Sequence, residues 1–186
     1  MTKILFIDFE TGGLDPQKHS ALTIGLAAYV DGEVLGWEEH SIKLDTYQVE
    51  PFAMSVNGIN LAQFTEGGRT PEEITQAIKD FVARFDLGQP TVGGHNVGFD
   101  LGFLKQVVPT YREFLSYRSV DTHSVAQALR DAGMLDIPNL GLKHLAAFYG
   151  VELNENQHHT SGFDARATAQ VYGAMVKALR SLEGDL

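Results

Sequence analysis

The sequence predicts an α/β fold built on a central five-stranded mixed sheet flanked by helices. Two observations carry this prediction. Three apolar segments near the N-terminus are separated by short polar turns, and beyond residue 69 short apolar runs alternate with segments of helical periodicity. Strands joined by hairpins pair antiparallel, whereas a strand–helix–strand connection makes two strands parallel. We therefore expect both pairings in one sheet, with functional side chains near strand ends.

The first part of the chain is predicted to form hairpin-linked strands. Three segments rich in apolar and β-branched residues are the candidates, and they cover residues 3–10, 21–30 and 33–44. Asp31-Gly32 is a tight-turn pair, so the second and third segments should be antiparallel neighbours. Residues 45–68 contain prolines and glycines and are expected to be irregular.

The rest of the chain is predicted to alternate helices with two short strands. Thr70 followed by Pro71, with Glu73 three residues after the threonine, is typical of a capped helix start. Asn139 is expected to cap a later helix. The predicted helices cover residues 70–85, 96–107, 121–132, 139–150 and 161–182, and the predicted strands cover residues 90–94 and 117–120.

Length and composition indicate one globular domain over residues 1–186. With 44% hydrophobic and 20% charged residues, the chain can bury a full core. No apolar run approaches the roughly 18 to 20 residues of a membrane span. The N-terminus also lacks the pattern of a secretory signal. We therefore expect a cytoplasmic protein without a membrane partner.

Residue usage limits the possible sites. The chain has no cysteine, which excludes disulfides and thiolate metal sites. Oxygen or imidazole must bind any metal ion, and this favours Mg2+ or Mn2+. The net charge of −10 argues against binding long nucleic acid by phosphate neutralisation alone. It does not exclude a metal site that binds a few phosphate groups.

Two acidic residues interrupt the apolar first strand. Asp8 and Glu10 are two positions apart, so their side chains lie on the same face of an extended strand. Such a pair more often marks the solvated face of an edge strand. Here the neighbouring apolar run indicates a strand buried on both faces, where adjacent carboxylates repel each other unless a cation lies between them. The pair therefore predicts a divalent metal site.

Two further polar motifs accompany predicted helix starts. Residues 95–100 read His-Asn-Val-Gly-Phe-Asp, and His158-His159 precedes Asp164 by six and five positions. Each motif alone has a simpler structural explanation. An acid in the first turn of a helix interacts favourably with the helix dipole, and Asn96 can cap a helix. Two histidines are also common in a solvated loop.

Together, the order and spacing of the three motifs resemble the DEDDh 3′-to-5′ exonuclease family, the DnaQ-like proofreading and ribonuclease T-type nucleases. The family motif Asp-x-Glu-Thr, with glycine and Leu-Asp-Pro following, matches residues 8–16, and His-Asn-x-x-Phe-Asp matches residues 95–100. The third family motif is a histidine five positions before an aspartate, with Ala and Thr after the aspartate. It matches residues 159–168. Val-Asn-Gly-Ile at residues 56–59 is a weaker mark. The similarity extends over about residues 3–180.

This resemblance implies a ribonuclease H-like fold and a two-metal nuclease, with Mg2+ or Mn2+, that releases nucleoside 5′-monophosphates. It implies that His159 is the general base, a role that suits its intrinsic pKa of about 6.5. The implied metal ligands, which are also catalytic, are Asp8, Glu10, Asp100 and Asp164. The positions that match family contacts to the terminal nucleotide are Thr11, Leu14, Asn57, Asn96 and Phe99.

The chain also departs from the family pattern. Gly12 stands where relatives usually carry threonine, and Thr23 stands where they often carry glutamate. Asn57 stands in place of a common histidine, and Ser161-Gly162 in place of a common Ala-Leu pair. None of these positions is an implied metal ligand. Gly12 and Asn57 match positions that hold the terminal nucleotide in relatives, so they concern nucleotide preference.

The resemblance implies single-stranded nucleic acid 3′ ends as the substrate, with DNA preferred over RNA. The alternative is an RNA-trimming exoribonuclease or an oligonucleotide-degrading enzyme of the same family. A non-catalytic 3′-end binding module is disfavoured, because all five implied catalytic residues are present. A DNA polymerase is a candidate partner. The short chain beyond the last predicted helix favours a free-standing enzyme or a small trans-acting subunit.

Overall fold

A computed structural model describes residues 2–153 and 160–181. The described strands are β1 (Lys3–Thr11), β2 (Ala21–Val30), β3 (Glu33–Ser41), β4 (Thr91–Gly94) and β5 (Ser119–Asp121). The described α-helices are α1 (Pro51–Asn57), α2 (Phe64–Gly67), α3 (Pro71–Arg84), α4 (Val97–Val107), α5 (Thr122–Asp131), α6 (Leu142–Tyr149) and α7 (Ser161–Ser181). Among these helices, none has the length and apolar content that crossing a bilayer requires.

The five strands form one mixed sheet in the order β3-β2-β1-β4-β5. β2 pairs antiparallel with both β1 and β3, as their hairpin connections require. β4 pairs parallel with β1 and with β5, because helical crossovers separate these strands in the chain. The predicted α/β class and five-stranded mixed sheet are confirmed.

β1 lies at the centre of the sheet, and its side chains alternate between two apolar layers. Leu5, Ile7 and Phe9 are buried in the larger cluster, which includes residues of α3 and α4. Ile4 and Phe6 are buried on the other face, against the cluster that includes residues of α7. The period of two along a strand therefore directs the next even-numbered side chains toward the α7 face.

α7 begins directly against β2. A Cβ atom added at Gly25 would overlap the carbonyl group of Ser161, the first residue of the helix. Gly25 also pairs with Asp8 across the β1–β2 ladder. Glycine at this position therefore lets the start of α7 approach the sheet beside the first acidic residue of β1.

We expect Gly25→Ala to destabilise the fold by about 1–3 kcal/mol, the usual cost of overpacking a closely packed site. Urea denaturation measures the change. Gly98→Ala in α4 is the matched control, because nothing lies within 4 Å of its added Cβ atom. Alanine is also the better helix former, so the control should be as stable as the parent or more stable. Equal stability of the two variants would contradict the close packing.

The prediction that residues 45–68 are irregular was wrong. This stretch contains α1, a 3-10 turn at Leu61–Gln63 and α2. Pro51 is the first residue of α1, and Gly58 ends that helix in the left-handed conformation with φ of 65°. The two residues that indicated a loop are therefore a helix start and a helix stop.

The predicted cap at Asn139 was also wrong, and Asn96, for which capping was the simpler explanation, makes no side-chain cap. Asn96 precedes α4 in the left-handed conformation with φ of 59°, and its side chain makes no capping hydrogen bond. Gly141, not Asn139, is the N-cap of α6, while the Asn139 side chain accepts a hydrogen bond from the Gly141 N–H at 2.8 Å. The strand predicted to reach residue 44 ends at Ser41.

Candidate active site

Three carboxylates converge between β1 and the start of α7. One oxygen atom from each of Asp8, Glu10 and Asp164 lies within 4.8 Å of the other two. The two β1 residues share the α7 face of the sheet, as their spacing predicted. Asp164 lies in the first turn of α7, and its N–H donates to the Thr160 carbonyl at 3.0 Å. Folding therefore joins acids that are more than 150 positions apart in the sequence.

Asp100 lies next to this group and is oriented by β1. Asp100 belongs to α4, and only 3% of the residue is exposed. Its Oδ1 atom accepts a hydrogen bond from the Phe9 N–H at 3.0 Å. Phe9 lies between Asp8 and Glu10 in the chain, so this bond brings the fourth predicted acid to the same segment. Asp100 is not a member of the trio of oxygens within 4.8 Å.

Burial and the charges of neighbouring acids raise the pKa values of Asp8, Glu10 and Asp100. Burial, and then the charges of Asp100 and Asp164, raise the pKa of Asp8 well above its usual value. Burial, followed by Asp164 and Glu39, raises the pKa of Glu10 to about 8. Burial also raises the pKa of Asp100 to about 7, against the effect of backbone hydrogen bonds. Such a concentration of acids is stabilised by a bound cation.

The donor set fits a hard divalent cation. The trio of Asp8, Glu10 and Asp164 offers carboxylate oxygens only, the ligands that Mg2+ and Mn2+ prefer. The raised pKa values of Asp8 and Glu10 give a physical reason for a bound cation, because ionising these groups without one is unfavourable. These residues can therefore hold a metal ion of that class.

We expect the metal-free protein to lose stability as pH rises from about 5 to about 8. An acid whose pKa is higher in the folded than in the unfolded state holds its proton more tightly when folded, so deprotonation through this window costs stability. The pKa of Glu10, which rises from 4.5 to about 8 on folding, sets the limits of this pH window. Thermal unfolding with chelator at several pH values measures the trend, and saturating Mg2+ should flatten it.

The matched control for this pH dependence is Glu10→Gln. This substitution removes the titrating group, so the decline with pH should become shallower in chelator. A metal-free parent protein whose stability rises steadily across this window would contradict the assigned pKa shift.

The predicted general base lies outside the described residues. His159 belongs to residues 154–159, which immediately precede Thr160 and α7. The assignment of His159 therefore stays a prediction.

Of the predicted nucleotide-contacting residues, two lie in the interior. The Thr11 hydroxyl donates to the Gly13 carbonyl at 2.8 Å. Asn57 is 4% exposed, donates from Nδ2 to the Thr11 carbonyl at 3.2 Å and accepts the Ile59 N–H at 3.0 Å. These bonds attach the C-terminal end of α1 to the end of β1, so both residues shape the backbone beside the acids.

The other three predicted nucleotide contacts differ in exposure. Leu14 is 82% exposed, just beyond β1. Asn96 is exposed, and its N–H donates to Asp121 Oδ1 at 2.8 Å. Phe99 is half-buried and packs against Phe103, with 5.1 Å between ring centroids. Leu14 therefore presents the most accessible apolar surface of these three.

Gly12 is enclosed by backbone. Its N–H donates to the Ser20 carbonyl at 2.8 Å, and its carbonyl accepts the Glu50 N–H at 2.6 Å. A Cβ atom at Gly12 would lie 2.5 Å from the Gln48 carbonyl oxygen and 2.7 Å from Val49 Cγ1. The threonine that relatives usually carry here does not fit this chain without moving residues 48–50.

The sequence reasoning missed three residues near the site. Phe52 is 78% exposed, and Val56, one turn later in α1, is also exposed. Their spacing of four in a segment that starts with proline was the available signal, but the segment was predicted to be irregular. Glu39 on β3 contributes to the raised pKa of Glu10, and no local pattern in the sequence marks it.

Solved structures with the same fold include Exonuclease I. The chain matches E. coli Exonuclease I in complex with a dT13 oligonucleotide at a TM-score of 0.79 and 21% identity, over 99% of this chain and 43% of that chain. It matches a moderately thermophilic Exonuclease I from Methylocaldum szegediense at a TM-score of 0.75 and 21% identity, over 95% and 41% of the two chains. This likeness establishes the ribonuclease H-like fold.

Curated relatives include replicative polymerases. The chain is 27% identical over 177 residues to the PolC-type DNA polymerase III of Thermotoga petrophila, covering 95% of this chain and 12% of that protein. It is 28% identical over 187 residues to the PolC-type DNA polymerase III of Staphylococcus haemolyticus, covering 97% and 12%. The chain thus spans about one eighth of the length of these relatives. A family model described as exonuclease, RNase_T, matches residues 5–172, so the chain belongs to the DnaQ-like exonuclease family.

Proposed function

We propose that this chain is a 3′-to-5′ exonuclease that shortens single-stranded nucleic acid, DNA in preference to RNA, and releases nucleoside 5′-monophosphates. The observation that carries the proposal is the trio of Asp8, Glu10 and Asp164, whose carboxylate oxygens converge within 4.8 Å in an exonuclease-family chain. A cluster of carboxylates provides a phosphate-binding site once divalent cations neutralise it.

In this proposal the four acids hold two divalent ions, Mg2+ or Mn2+. The ions supply activation of the attacking water and neutralisation of charge on the phosphate and on the leaving 3′ oxygen. Asp8, Glu10 and Asp164 provide the converging oxygens. Asp100 joins them from α4, oriented by the Phe9 N–H. His159 accepts the proton of the attacking water as general base.

Exposed apolar side chains on the segments joined to the end of β1 support a single-stranded substrate. α1 is attached beside the end of β1 by the Glu50 N–H to Gly12 carbonyl bond at 2.6 Å and by the Asn57 bond to Thr11. It carries exposed Phe52 and Val56, and exposed Leu14 follows β1. Stacking of bases on aromatic side chains is tolerant of sequence and contributes about 1–3 kcal/mol per base.

The names of related proteins favour DNA. Matched E. coli Exonuclease I structures include complexes with dT13, 5cy-dA13 and dA16 oligonucleotides, and the two relatives described above are DNA polymerases. These facts belong to those proteins and support DNA as the first substrate to test. They also make a DNA polymerase the first partner to test by co-purification.

The decisive experiment incubates 5′-end-labelled single-stranded DNA, RNA of the same sequence, and a dinucleotide with Mg2+, Mn2+ or chelator. We expect a metal-dependent ladder of 3′-shortened DNA, with slower RNA cleavage. A 3′-labelled strand should release its label first, as a mononucleotide.

Other outcomes of this experiment separate the alternatives. Faster cleavage of RNA or of the dinucleotide would favour an RNA-trimming or oligonucleotide-degrading enzyme. Cleavage of no substrate, with metal binding demonstrated by calorimetry, would favour a non-catalytic 3′-end binding module.

A further inference from the structure

A hydrogen-bonded junction attaches the first residues of α7 to β3. Glu39 Oε2 accepts the Gly162 N–H at 2.7 Å and the Ser161 hydroxyl at 3.1 Å. The Ser161 hydroxyl is also 2.8 Å from the Thr23 hydroxyl. A carboxylate oxygen only accepts, and Ser161 has one hydroxyl proton, so Thr23 donates to Ser161 and Ser161 donates to Glu39. We call these three side chains, Thr23, Glu39 and Ser161, the helix clamp.

The sheet register places this clamp in the same row as the acidic site. Asp8 pairs with Gly25 across β1 and β2, and Gly25 pairs with Glu39 across β2 and β3. Directly opposed residues point to one face of a sheet, so Asp8 and Glu39 flank the gap at Gly25. The start of α7 occupies this gap, since a Cβ atom at Gly25 would overlap the Ser161 carbonyl group.

Close packing at Gly162 restricts the position of the first residues of α7 relative to β3. A Cβ atom at Gly162 would lie 2.9 Å from Glu39 Cβ and 3.1 Å from Trp37 Cε3. Glycine therefore allows the helix backbone to approach β3 closely enough for the 2.7 Å bond. Charge-assisted bonds to backbone N–H groups are the stronger class of hydrogen bond, and a carboxylate at a helix N-terminus also meets the positive end of the dipole.

Two of the clamp residues are departures from the family pattern, and they contact each other. Thr23 stands where relatives often carry glutamate, and Ser161 stands where they often carry alanine. In this chain the two hydroxyls connect the Glu39 carboxylate of β3 to β2. The three side chains therefore form one hydrogen-bonded unit that joins β2, β3 and α7.

We propose that Glu39 is a positioning residue, which fixes the start of α7 and thereby sets Asp164 against Asp8 and Glu10. Asp164 is three positions after Ser161, within the same turn, so displacement of the helix start displaces its carboxylate. Glu39 itself is not a member of the converging trio. The proposal rests on the metal-binding role that the proposed function gives to that trio.

The test compares Glu39→Ala with Glu39→Gln by Mn2+ titration calorimetry and by cleavage kinetics. Glu39→Ala removes the acceptor, and we expect metal affinity to fall about 10–100-fold, the usual effect of losing a residue that orients a ligand. We expect kcat to fall with it while KM changes little. Glu39→Gln keeps one oxygen that can accept both bonds, so most of the affinity and kcat should be retained.

Glu38→Ala is the matched control. Glu38 is the adjacent glutamate of β3 and points to the other face, where it pairs with Arg84 at 2.8 Å. Its removal changes net charge by the same amount, so metal affinity should stay at the parent value. Loss of affinity in this control equal to that in Glu39→Ala would overturn the assignment to the clamp.

Two further results would overturn the proposal. Parent affinity in Glu39→Ala would show that the clamp does not position Asp164. Equal loss in the Gln and Ala variants would assign the effect to charge, not to hydrogen bonding. If Glu39→Ala does not fold, Glu39→Met decides, because it removes the acceptor of the Gly162 N–H while keeping most of the side-chain volume; reduced Mn2+ affinity supports the clamp and parent affinity overturns it. Since Mn2+ titration needs no cleavage, failure of the proposed nuclease activity is distinguished from failure of the clamp.

Discussion

Asp8→Asn is expected to eliminate cleavage while making the metal-free protein more stable. The substitution keeps the side-chain shape but removes a carboxylate that burial and neighbouring acids keep at a raised pKa. Loss of one of the three converging carboxylates should lower cleavage by about 10³-fold or more, because the proposed reaction depends on divalent ions that these residues would bind. Cleavage assays and thermal unfolding with and without Mg2+ measure the two effects.

Asp136→Asn is the control for this change. Asp136 is an exposed aspartate, and its substitution removes the same charge as Asp8→Asn. It should leave both cleavage and the Mg2+-dependent stabilisation at the parent level. Cleavage by Asp8→Asn within tenfold of the parent would remove Asp8 from the proposed site.

His159→Asn is expected to lower kcat by about 10²- to 10⁴-fold, the range for loss of a general base. Metal binding should stay close to the parent value, because the proposed metal ligands are the four carboxylates and not His159. The rate at low pH should also lose its dependence on a group with a pKa of about 6.5, the usual histidine value. Single-turnover cleavage across pH, with Mn2+ calorimetry, measures these effects.

The neighbouring histidine provides a matched control. His158 is six positions from Asp164 instead of five, so His158→Asn should retain parent kcat. If His158→Asn lowered kcat and His159→Asn did not, the general base would be His158. If both retained full activity, a histidine base from this segment would be excluded.

Much of the fold could be predicted because its signals are local. The alternation of β1 predicts that Asp8 and Glu10 share a face, and both face α7 in the structure. Asp31-Gly32 predicts the β2–β3 hairpin. α1 was missed because proline and glycine mark both helix ends and loops, and a helix of seven residues offers little periodicity to separate the two.

The sequence indicated Asp8, Glu10 and Asp164, which converge in the structure, but not the contacts that orient the site. The acids stand in motifs with fixed spacing. The Phe9 N–H that orients Asp100 is 91 positions away, and the Glu39 carboxylate that holds Gly162 is 123 positions away. Neither contact has a local sequence pattern, because each arises from the close approach of elements that only the folded chain brings together. The same holds for Asn57, whose motif gives no indication that its amide bonds to Thr11.

The enclosure of Gly12 has a consequence for building chimeras between this chain and its relatives. Its backbone hydrogen bonds to Ser20 and Glu50 connect the end of β1 to the segment that leads into α1, and Gln48 and Val49 leave no room for a Cβ atom there. Transferring a relative's threonine alone would separate these two segments. Residues 12–20 and 48–57 should therefore be exchanged together, so that the packing between the two segments is kept.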